Sequence, residues 1–236
     1  MSTDGLVIPP GIASREIELR GLDASSGAKR QPRRFKSVVV YPKSLGEDGE
    51  DKFILEASNL HIDQWRPAWK CCTRKEYDIQ WGEWWLLWKY RFHKYGKNGA
   101  EPIECVVVVL GGVIQGMMLV GPSKPANLGN SVSNRLLYLA HMATAPWNRK
   151  VYCPKSGVYP VALKGIGKAL VNEAVQLSAS YGYGGRLGLY SMERSATFYR
   201  HIGMKLVPEA KDREFRGKWY EFSERAAHDF LNKPIS

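Results

Sequence analysis

The chain has 236 residues, 44% of them hydrophobic, which is enough for one sizeable domain or two small ones with a real core. Its formal net charge of +11 favours anionic partners such as nucleic acid, acidic substrates or a phosphorylated cofactor. None of the 4 cysteines belongs to a C-x-x-C pair and the 5 histidines lack metal-ligand spacing, which argues against a disulfide framework and against a metal site. We therefore expect a cytoplasmic protein without a metal ion.

Residues 1–34 are rich in Gly, Ser, Pro and Arg, show little hydrophobic periodicity and end in a basic cluster. Such a composition is typical of a mobile arm. We predict a flexible, basic N-terminal arm over 1–34 and a single domain over 35–236. The first residues also lack the basic-then-apolar pattern of a secretory signal.

Ordered structure is expected to begin at Phe35, with short strands at 35–41 and 52–57 joined by an acidic loop. A helix is predicted near 62–69, and another over 77–95, where aromatic residues recur every three or four positions. These residues are Tyr77, Trp81, Trp84, Trp85, Trp88, Phe92 and Tyr95. We interpret them as a core-facing stripe; the alternative is that they edge a substrate cavity.

The uncharged run from Cys105 to Gly121 is barely long enough to span a bilayer. Four consecutive valines and the Gly111-Gly112 pair in its middle favour a buried β-hairpin, with strands at 103–110 and 113–120. We therefore expect no membrane-spanning segment here. A further strand is predicted over 136–144.

The second half of the chain begins with a turn-rich segment, 145–160, followed by a helix over 164–181 whose apolar residues repeat with helical spacing. A strand at 186–190, a helix at 193–201, closing strands at 205–207 and 218–222, and a helix at 224–231 complete the prediction. This order indicates an α+β fold with a mixed central sheet flanked by helices. The front half of the sheet is expected to be antiparallel, and the back half to alternate strand and helix.

The segment Lys164-Gly165-Ile166-Gly167-Lys168 is a short glycine turn that opens the predicted helix. Such a turn directs backbone N–H groups and the positive end of the helix dipole at one point, where the natural ligand is a phosphate. The segment is not a P-loop, because Ala162 and Ala169 occupy its Gly and Ser/Thr positions. It is not a dinucleotide fingerprint either, because Leu170 occupies the third glycine position.

Two motifs stand in this region: Ala162-Leu163-Lys164-Gly165-Ile166-Gly167, and Phe198-Tyr199 followed by Gly203-Met204. With their surroundings, from 136 to 204, they resemble the GNAT superfamily of acyl-CoA-dependent N-acyltransferases. That family has a strand, a [QR]-x-x-G-x-[GA] loop, a helix, a strand, and a helix ending in a pattern like FY-x-x-x-GF. The resemblance is tight over this stretch and extends loosely to the valine hairpin and the tryptophan-rich helix.

The resemblance implies a GNAT-like fold in which acetyl-CoA lies in a gap between two splayed parallel strands. The backbone groups expected at the cofactor are those of Met142, Ala143 and Thr144 for the pantetheine arm, and those of Lys164, Gly165, Ile166, Gly167 and Lys168 for the pyrophosphate. Tyr199 matches the family tyrosine that often protonates the leaving thiolate.

The general base is less well defined by the sequence. His141, on the predicted strand before the glycine turn, has an ordinary pKa suited to removing a proton at neutral pH. Glu83, in the tryptophan-rich helix, is a second candidate. A water chain without a dedicated base is a third.

The chain departs from the family pattern in three places. Ala162 replaces the usual Gln or Arg, and Met192 stands where an asparagine often precedes the tyrosine helix. About eighteen residues separate Pro146 from Gly165, where the common pattern has only a handful. Some GNAT-like sequences carry an A-P-x-N stretch and such an extension, here 147–163, and this chain resembles them.

The predicted activity is therefore transfer of an acyl group, acetyl in the first instance, from acyl-CoA to a primary amine of a small molecule or peptide. One alternative is a nucleic-acid-directed acyltransferase that acts on a charged tRNA or on a base, as the basic balance and the aromatic residues suggest. Another is a catalytically silent binding module with the same fold. The acceptor, the acyl chain length and the choice between monomer and homodimer stay open.

Overall fold

The computed structural model describes residues 6–23, 32–46, 48–50, 52–53, 55–57, 104–128, 134–148, 161–208 and 217–233. The predicted helices at 62–69 and 77–95, including the candidate base Glu83, lie outside these ranges. Within the described part of the chain, no helix combines the length and the apolar character that crossing a bilayer requires.

Nine described strands form one sheet, in the order β6-β1-β2-β3-β4-β5-β7-β9-β8. The strands are β1 (Ala13–Asp23), β2 (Pro32–Tyr41), β3 (Glu104–Leu110), β4 (Val113–Pro125), β5 (Arg135–Thr144), β6 (Val161–Lys164), β7 (Leu187–Ser191), β8 (Lys205–Leu206) and β9 (Lys218–Phe222). Every neighbouring pair is antiparallel except β5 and β7, which are parallel. The predicted α+β class, with a mixed sheet and one parallel pair, is confirmed.

In the second half of the chain, three α-helices flank this sheet: α1 (Ile166–Ser180), α2 (Ala196–Ile202) and α3 (Glu224–Leu231). Helix α1 lies across β3, β4, β5 and β7. Its buried apolar residues recur every three or four positions, as the sequence predicted; they are Ile166, Ala169, Leu170, Val171, Ala174 and Val175. Short 3₁₀ turns occur at Pro42–Leu45, Pro146–Asn148 and Glu193–Ser195.

Strand β1 corrects the prediction that residues 1–34 are a flexible arm and that order begins at Phe35. It lies inside the sheet, between β2 and β6. The physical reason is a short two-residue alternation: Ile17 and Leu19 are buried in the core, whereas Glu16, Glu18 and Arg20 are exposed. This alternation stands among Gly- and Ser-rich neighbours that mask it when composition is averaged.

Two further predictions are corrected locally. The described residues between 48 and 57 are helical, although 52–57 was predicted as a strand. The buried residues Glu50, Phe53 and Ala57 are three and four positions apart, which is helical spacing. Strand β6 was not predicted, because only four strand residues separate the turn-rich segment from the glycine turn.

Candidate active site

A gap opens between the parallel strands β5 and β7. Their ladder joins only Leu137 to Leu187 and Tyr138 to Gly188, although β5 continues to Thr144. Beyond those pairs, β5 stays paired with β4 and β7 stays paired with β9. Because successive residues of a strand direct their backbone groups alternately to its two sides, part of the backbone of 139–144 faces this gap. The predicted splayed pair is therefore present.

A β-bulge changes which face of β5 each residue occupies. Leu119 pairs with His141 and Val120 pairs with Leu139, so Ala140 is an extra residue on β5. Beyond the bulge, Met142 packs against the core cluster under α1, and Ala143 belongs to a different cluster. Alternation then places His141 on the face away from α1, together with Ala143. The side chain of His141 is half-buried.

The start of α1 has the geometry of an anion-binding turn. Gly165 is the residue before the helix, with φ 91° and ψ −5°, a left-handed conformation that favours glycine. Among the described residues no side chain caps this end, and its first turn contains no acidic residue. The first helical hydrogen bond runs from the Ala169 N–H to the Gly165 carbonyl, at 2.8 Å. The amides of Ile166 and Gly167 therefore precede the intrahelical ladder, as first-turn amides do.

Gly116 of β4 brings this helix start against the strand that borders the gap. It pairs with Thr144, the last residue of β5. A Cβ at Gly116 would lie 2.6 Å from Ile166 Cγ2 and 3.2 Å from Leu170 Cδ1, so only glycine allows α1 to approach so closely. The structure thus brings together the predicted pantetheine residues at the end of β5 and the predicted pyrophosphate turn.

Helix α2 contacts the same turn through its aromatic residues. A Cβ at Gly167 would lie 3.2 Å from the Phe198 ring, so this ring packs directly on the first turn of α1. The next residue, Tyr199, is buried, with its ring centroid 5.1 Å from that of Phe198 and 6.2 Å from that of Tyr220. The two motifs that carried the family resemblance are therefore adjacent in space.

Burial raises the pKa of the Tyr199 phenol above its ordinary value. The phenol is consequently protonated at neutral pH and able to donate a proton. A higher pKa also makes it a weaker acid, so proton donation requires negative charge to develop close to the hydroxyl. An unperturbed phenol and a thiolate have similar pKa values, and burial of Tyr199 weakens this match.

The remaining predicted site residues differ in exposure. Met142, Thr144 and Lys168 are half-buried, Ala143 is buried, and Lys164 is exposed. Met192, which occupies the family's asparagine position, is 46% exposed and directly precedes the 3₁₀ turn Glu193–Ser195. Within the described residues, no group of three or more His, Cys, Asp or Glu side chains is placed to bind a metal ion.

Sequence reasoning missed two sets of residues near the gap. One is a hydrogen-bonded group around Gln115 and Asn148. Asn148 is the asparagine of the A-P-x-N stretch, but nothing in the sequence singled out Gln115, its partner in β4. The other is an aromatic cluster beside the closed end of the gap. Lys124 Nζ lies 4.2 Å from the ring centroid of Tyr138, 5.4 Å from that of Tyr190 and 5.6 Å from that of Trp219.

Fold and site together define an α+β protein in which an open helix start adjoins a split parallel strand pair. No family model matches the chain, and no curated protein matches it significantly.

Several solved structures are similar in fold. The PaiA N-acetyltransferase of Thermoplasma acidophilum in complex with coenzyme A is 17% identical, over 71% of this chain and 92% of that one, with a TM-score of 0.42. A GCN5-related N-acetyltransferase of Ralstonia eutropha is 15% identical, over 67% and 92%, with a TM-score of 0.39. A mutant of the toxin AtaT bound to the C-terminus of the antitoxin AtaR is 13% identical, over 65% and 83%, with a TM-score of 0.41. These values describe a distant likeness, so the functional proposal rests on the residues of this chain.

Proposed function

We propose that the protein is an acyl-CoA-dependent N-acyltransferase of the GNAT type, which transfers an acetyl group from acetyl-CoA to a primary amine. The observation that carries the proposal is the uncapped start of α1 beside the end of β5, where β5 has separated from β7. A molecule with a diphosphate at one end and an extended amide-containing arm at the other is complementary to this pair of features.

The diphosphate is assigned to the amides of Lys164, Gly165, Ile166, Gly167 and Lys168. Two observations support this assignment: the left-handed Gly165, and a first turn that contains no carboxylate to compete with an anion. The side chains of Lys164 and Lys168 add positive charge on either side.

The pantetheine arm is assigned to the backbone of Met142, Ala143 and Thr144. The amide groups of the pantetheine arm can hydrogen-bond to this part of β5, which no longer pairs with β7, much as an added strand would. Since Gly116 pairs with Thr144 and contacts Ile166, the strand end and the turn are close enough for one ligand to reach both.

The reaction makes one bond and breaks one. The neutral acceptor amine attacks the thioester carbonyl, a C–N bond forms, and the C–S bond breaks to release the thiolate of CoA. The nitrogen loses one proton and the thiolate gains one, so the step is balanced without a metal or a redox partner. We assign the stabilisation of the oxyanion that develops on the carbonyl to backbone amides near Met142.

We assign the two proton transfers to Tyr199 and His141. Tyr199 is the acid, because its phenol is protonated at neutral pH and its helix contacts the turn that binds the diphosphate through Phe198. His141 is the base, because it lies half-buried on the strand that borders the gap, on the face away from α1. Glu83 and a water chain remain the alternatives for this step.

The test has two parts. Calorimetric titration of the purified protein with acetyl-CoA and CoA is expected to show stoichiometric binding. Thiol release is then measured with acetyl-CoA and a panel of primary amines, polyamines and peptides. Absence of acetyl-CoA binding would refute the assignment, and binding without turnover on any amine would favour the silent binding module.

A nucleic-acid-directed acyltransferase is the second candidate, and the net charge of +11 favours it. For this candidate, binding of tRNA should weaken steeply as salt rises, because cationic side chains release counterions from phosphates. Binding that does not change with salt, or no binding, would favour the small-molecule or peptide acceptor. Either activity is proposed for a cytoplasmic monomer or homodimer.

A further inference from the structure

Asn148 hydrogen-bonds to two strands that are far apart in the sheet. Its Nδ2 donates to the Gln115 carbonyl oxygen at 3.2 Å and to Gln115 Oε1 at 3.0 Å. Its Oδ1 accepts from the backbone N–H of Leu163 at 2.7 Å. Gln115 belongs to β4 and Leu163 to β6, and three strands lie between these two in the sheet order. The sheet therefore curls enough for Asn148 to join its edge strand back to β4. We call Asn148, Gln115 and Leu163 the Asn148 bridge.

The Gln115 end of the Asn148 bridge is rigid. Gln115 is 3% exposed, and its Oε1 also accepts from Trp147 Nε1 at 3.0 Å. Its backbone carbonyl accepts from the Ala145 N–H at 2.9 Å as well. Each of the two Gln115 oxygens thus accepts from two donors, and a shift of Gln115 would weaken several hydrogen bonds at once.

The bridge is close to both halves of the proposed acyl-CoA site. Gln115 is adjacent to Gly116, which pairs with Thr144 and contacts Ile166. Leu163 stands two residues before Gly165. Asn148 and β6 also flank residues 149–160, so the bridge joins the chain on either side of that segment. Strand β6 is anchored on one side by its ladder to β1, and the Leu163 N–H is anchored to Asn148.

The chemistry of the bridge requires an asparagine. One planar amide supplies a donor to Gln115 and an acceptor to Leu163 at once. An aspartate would keep the acceptor but lose the donor and would put a carboxylate next to two Gln115 oxygens. An alanine would lose both contacts.

We infer that Asn148 is a positioning residue that keeps the diphosphate-binding turn in register with the end of β5, so that both parts of one acyl-CoA molecule are bound together. This inference rests on the proposed function. Asn148 itself need not contact the ligand. Its contribution is to fix the turn before the ligand arrives, so that binding does not have to order it.

The experiment compares two ligands that differ in the diphosphate. Acetyl-CoA carries it, whereas acetyl-pantetheine ends before it. Affinities are measured by calorimetry for acetyl-CoA and by ligand-observed NMR for acetyl-pantetheine. Wild type, Asn148→Ala and Asn148→Asp are compared, with Asn172→Ala as a control, since Asn172 is a buried amide of α1 whose carboxamide accepts from Gln176 in the same helix.

For both Asn148 variants, acetyl-CoA affinity is expected to fall at least about 10-fold while acetyl-pantetheine affinity changes less than about 2-fold, since only the turn is displaced. Asn172→Ala is expected to bind both ligands as the wild type does. Wild-type acetyl-CoA affinity in the Asn148 variants, or an equal loss for both ligands, would overturn the inference. Loss of the cooperative unfolding transition in both variants would overturn it too, because the amide would then stabilise the fold as a whole. A wild-type protein that binds neither ligand would instead refute the proposed function.

Discussion

Helices α1 and α3 begin in opposite ways, although they belong to one fold. Helix α3 has Ser223 before it in an extended conformation, and the serine hydroxyl accepts from the Ala226 N–H at 3.3 Å. Its first turn contains Glu224, a charge that suits the positive end of the helix dipole. Helix α1 has a left-handed glycine in the equivalent place, no side chain from the described part of the chain caps it, and its first turn contains no acidic residue.

The difference lies in the first-turn amides: a serine of the chain caps those of α3, whereas no described side chain caps those of α1. A helix start capped by a side chain is complete in the folded protein, and its cap contributes to stability. At a helix start without a cap, the first amides and the positive end of the dipole are available to bind an anion. We therefore expect changes at α1 to alter ligand binding and changes at α3 to alter stability.

The strongest test of this comparison places a negative charge at the start of α1. Asp and Asn are the non-glycine residues that best tolerate a left-handed conformation, and they have nearly the same size. Gly165→Asp is expected to weaken acetyl-CoA binding about 100-fold more than Gly165→Asn, because only the aspartate repels a diphosphate. Calorimetric titration of both variants gives the ratio.

The Gly165→Asn variant is the matched control, since it adds the same bulk without the charge. Both variants should have similar thermal stability, which shows that any difference in affinity comes from the site. Equal acetyl-CoA affinities for the two variants would mean that the anion does not bind at α1.

A second test asks whether the open helix start lies beside the reacting groups. Tyr199→Phe is expected to lower turnover about 100-fold, because the leaving thiolate loses its proton donor. Acetyl-CoA affinity should stay within about 2-fold, since the phenol is assigned to the transition state. Tyr220→Phe, at a buried tyrosine of the same cluster, is the control and should keep its turnover. Equal turnover in the two variants would remove Tyr199 from the mechanism.

The residues of the two motifs could be placed from sequence because their signals are local. Gly165 and Gly167 stand at a helix start, and Tyr199 stands on a short helix stopped by Gly203, so spacing placed them on these elements, whereas their roles were implied by the family resemblance. The valine hairpin and the apolar period of α1 were found in the same way. Strand β1 was missed because Ile17 and Leu19 are its main apolar signal in a Gly- and Ser-rich stretch.

The parts that depend on tertiary contact could not be obtained from sequence. Asn148 and Gln115 are 33 residues apart, and nothing in either neighbourhood specifies the other. The approach of Gly116 to Ile166 was equally invisible, because a glycine in a strand is compatible with many environments. Burial of Tyr199 altered its chemistry as well, since a pattern of residue types contains no information about desolvation.

A third prediction follows from groups that are buried in their neutral form. Burial raises the pKa of both Tyr199 and Cys105 above their ordinary values of 10.0 and 9.0. Well below pH 9 both groups are protonated in the folded and unfolded states, so the free energy of unfolding does not change with pH through them. At higher pH only the unfolded state loses these protons, so the free energy of unfolding should fall, by up to about 1.4 kcal/mol per pH unit for each group.

Urea denaturation between pH 8 and pH 11 measures this decrease. The Tyr199→Phe variant separates the two contributions, because it should make the decrease above pH 10 less steep while leaving the Cys105 decrease, which begins near pH 9 and continues to pH 11. A free energy of unfolding that is constant up to pH 11 would show that neither group is buried as described.

The smallest expected effect is at the capped helix. Ser223→Ala removes the oxygen that accepts from the Ala226 N–H, and such a change costs about 1 kcal/mol. In a chain of this size that loss lowers Tm by about 2–4 °C. Acetyl-CoA affinity should be unchanged, because α3 is assigned no role in the site.

The same serine introduced at the other helix start, as Gly165→Ser, forces a side chain into a left-handed conformation and is expected to reduce acetyl-CoA affinity. If Ser223→Ala weakened binding instead, the two helix starts would be linked, and the division between a ligand-binding start and a stabilising start would fail.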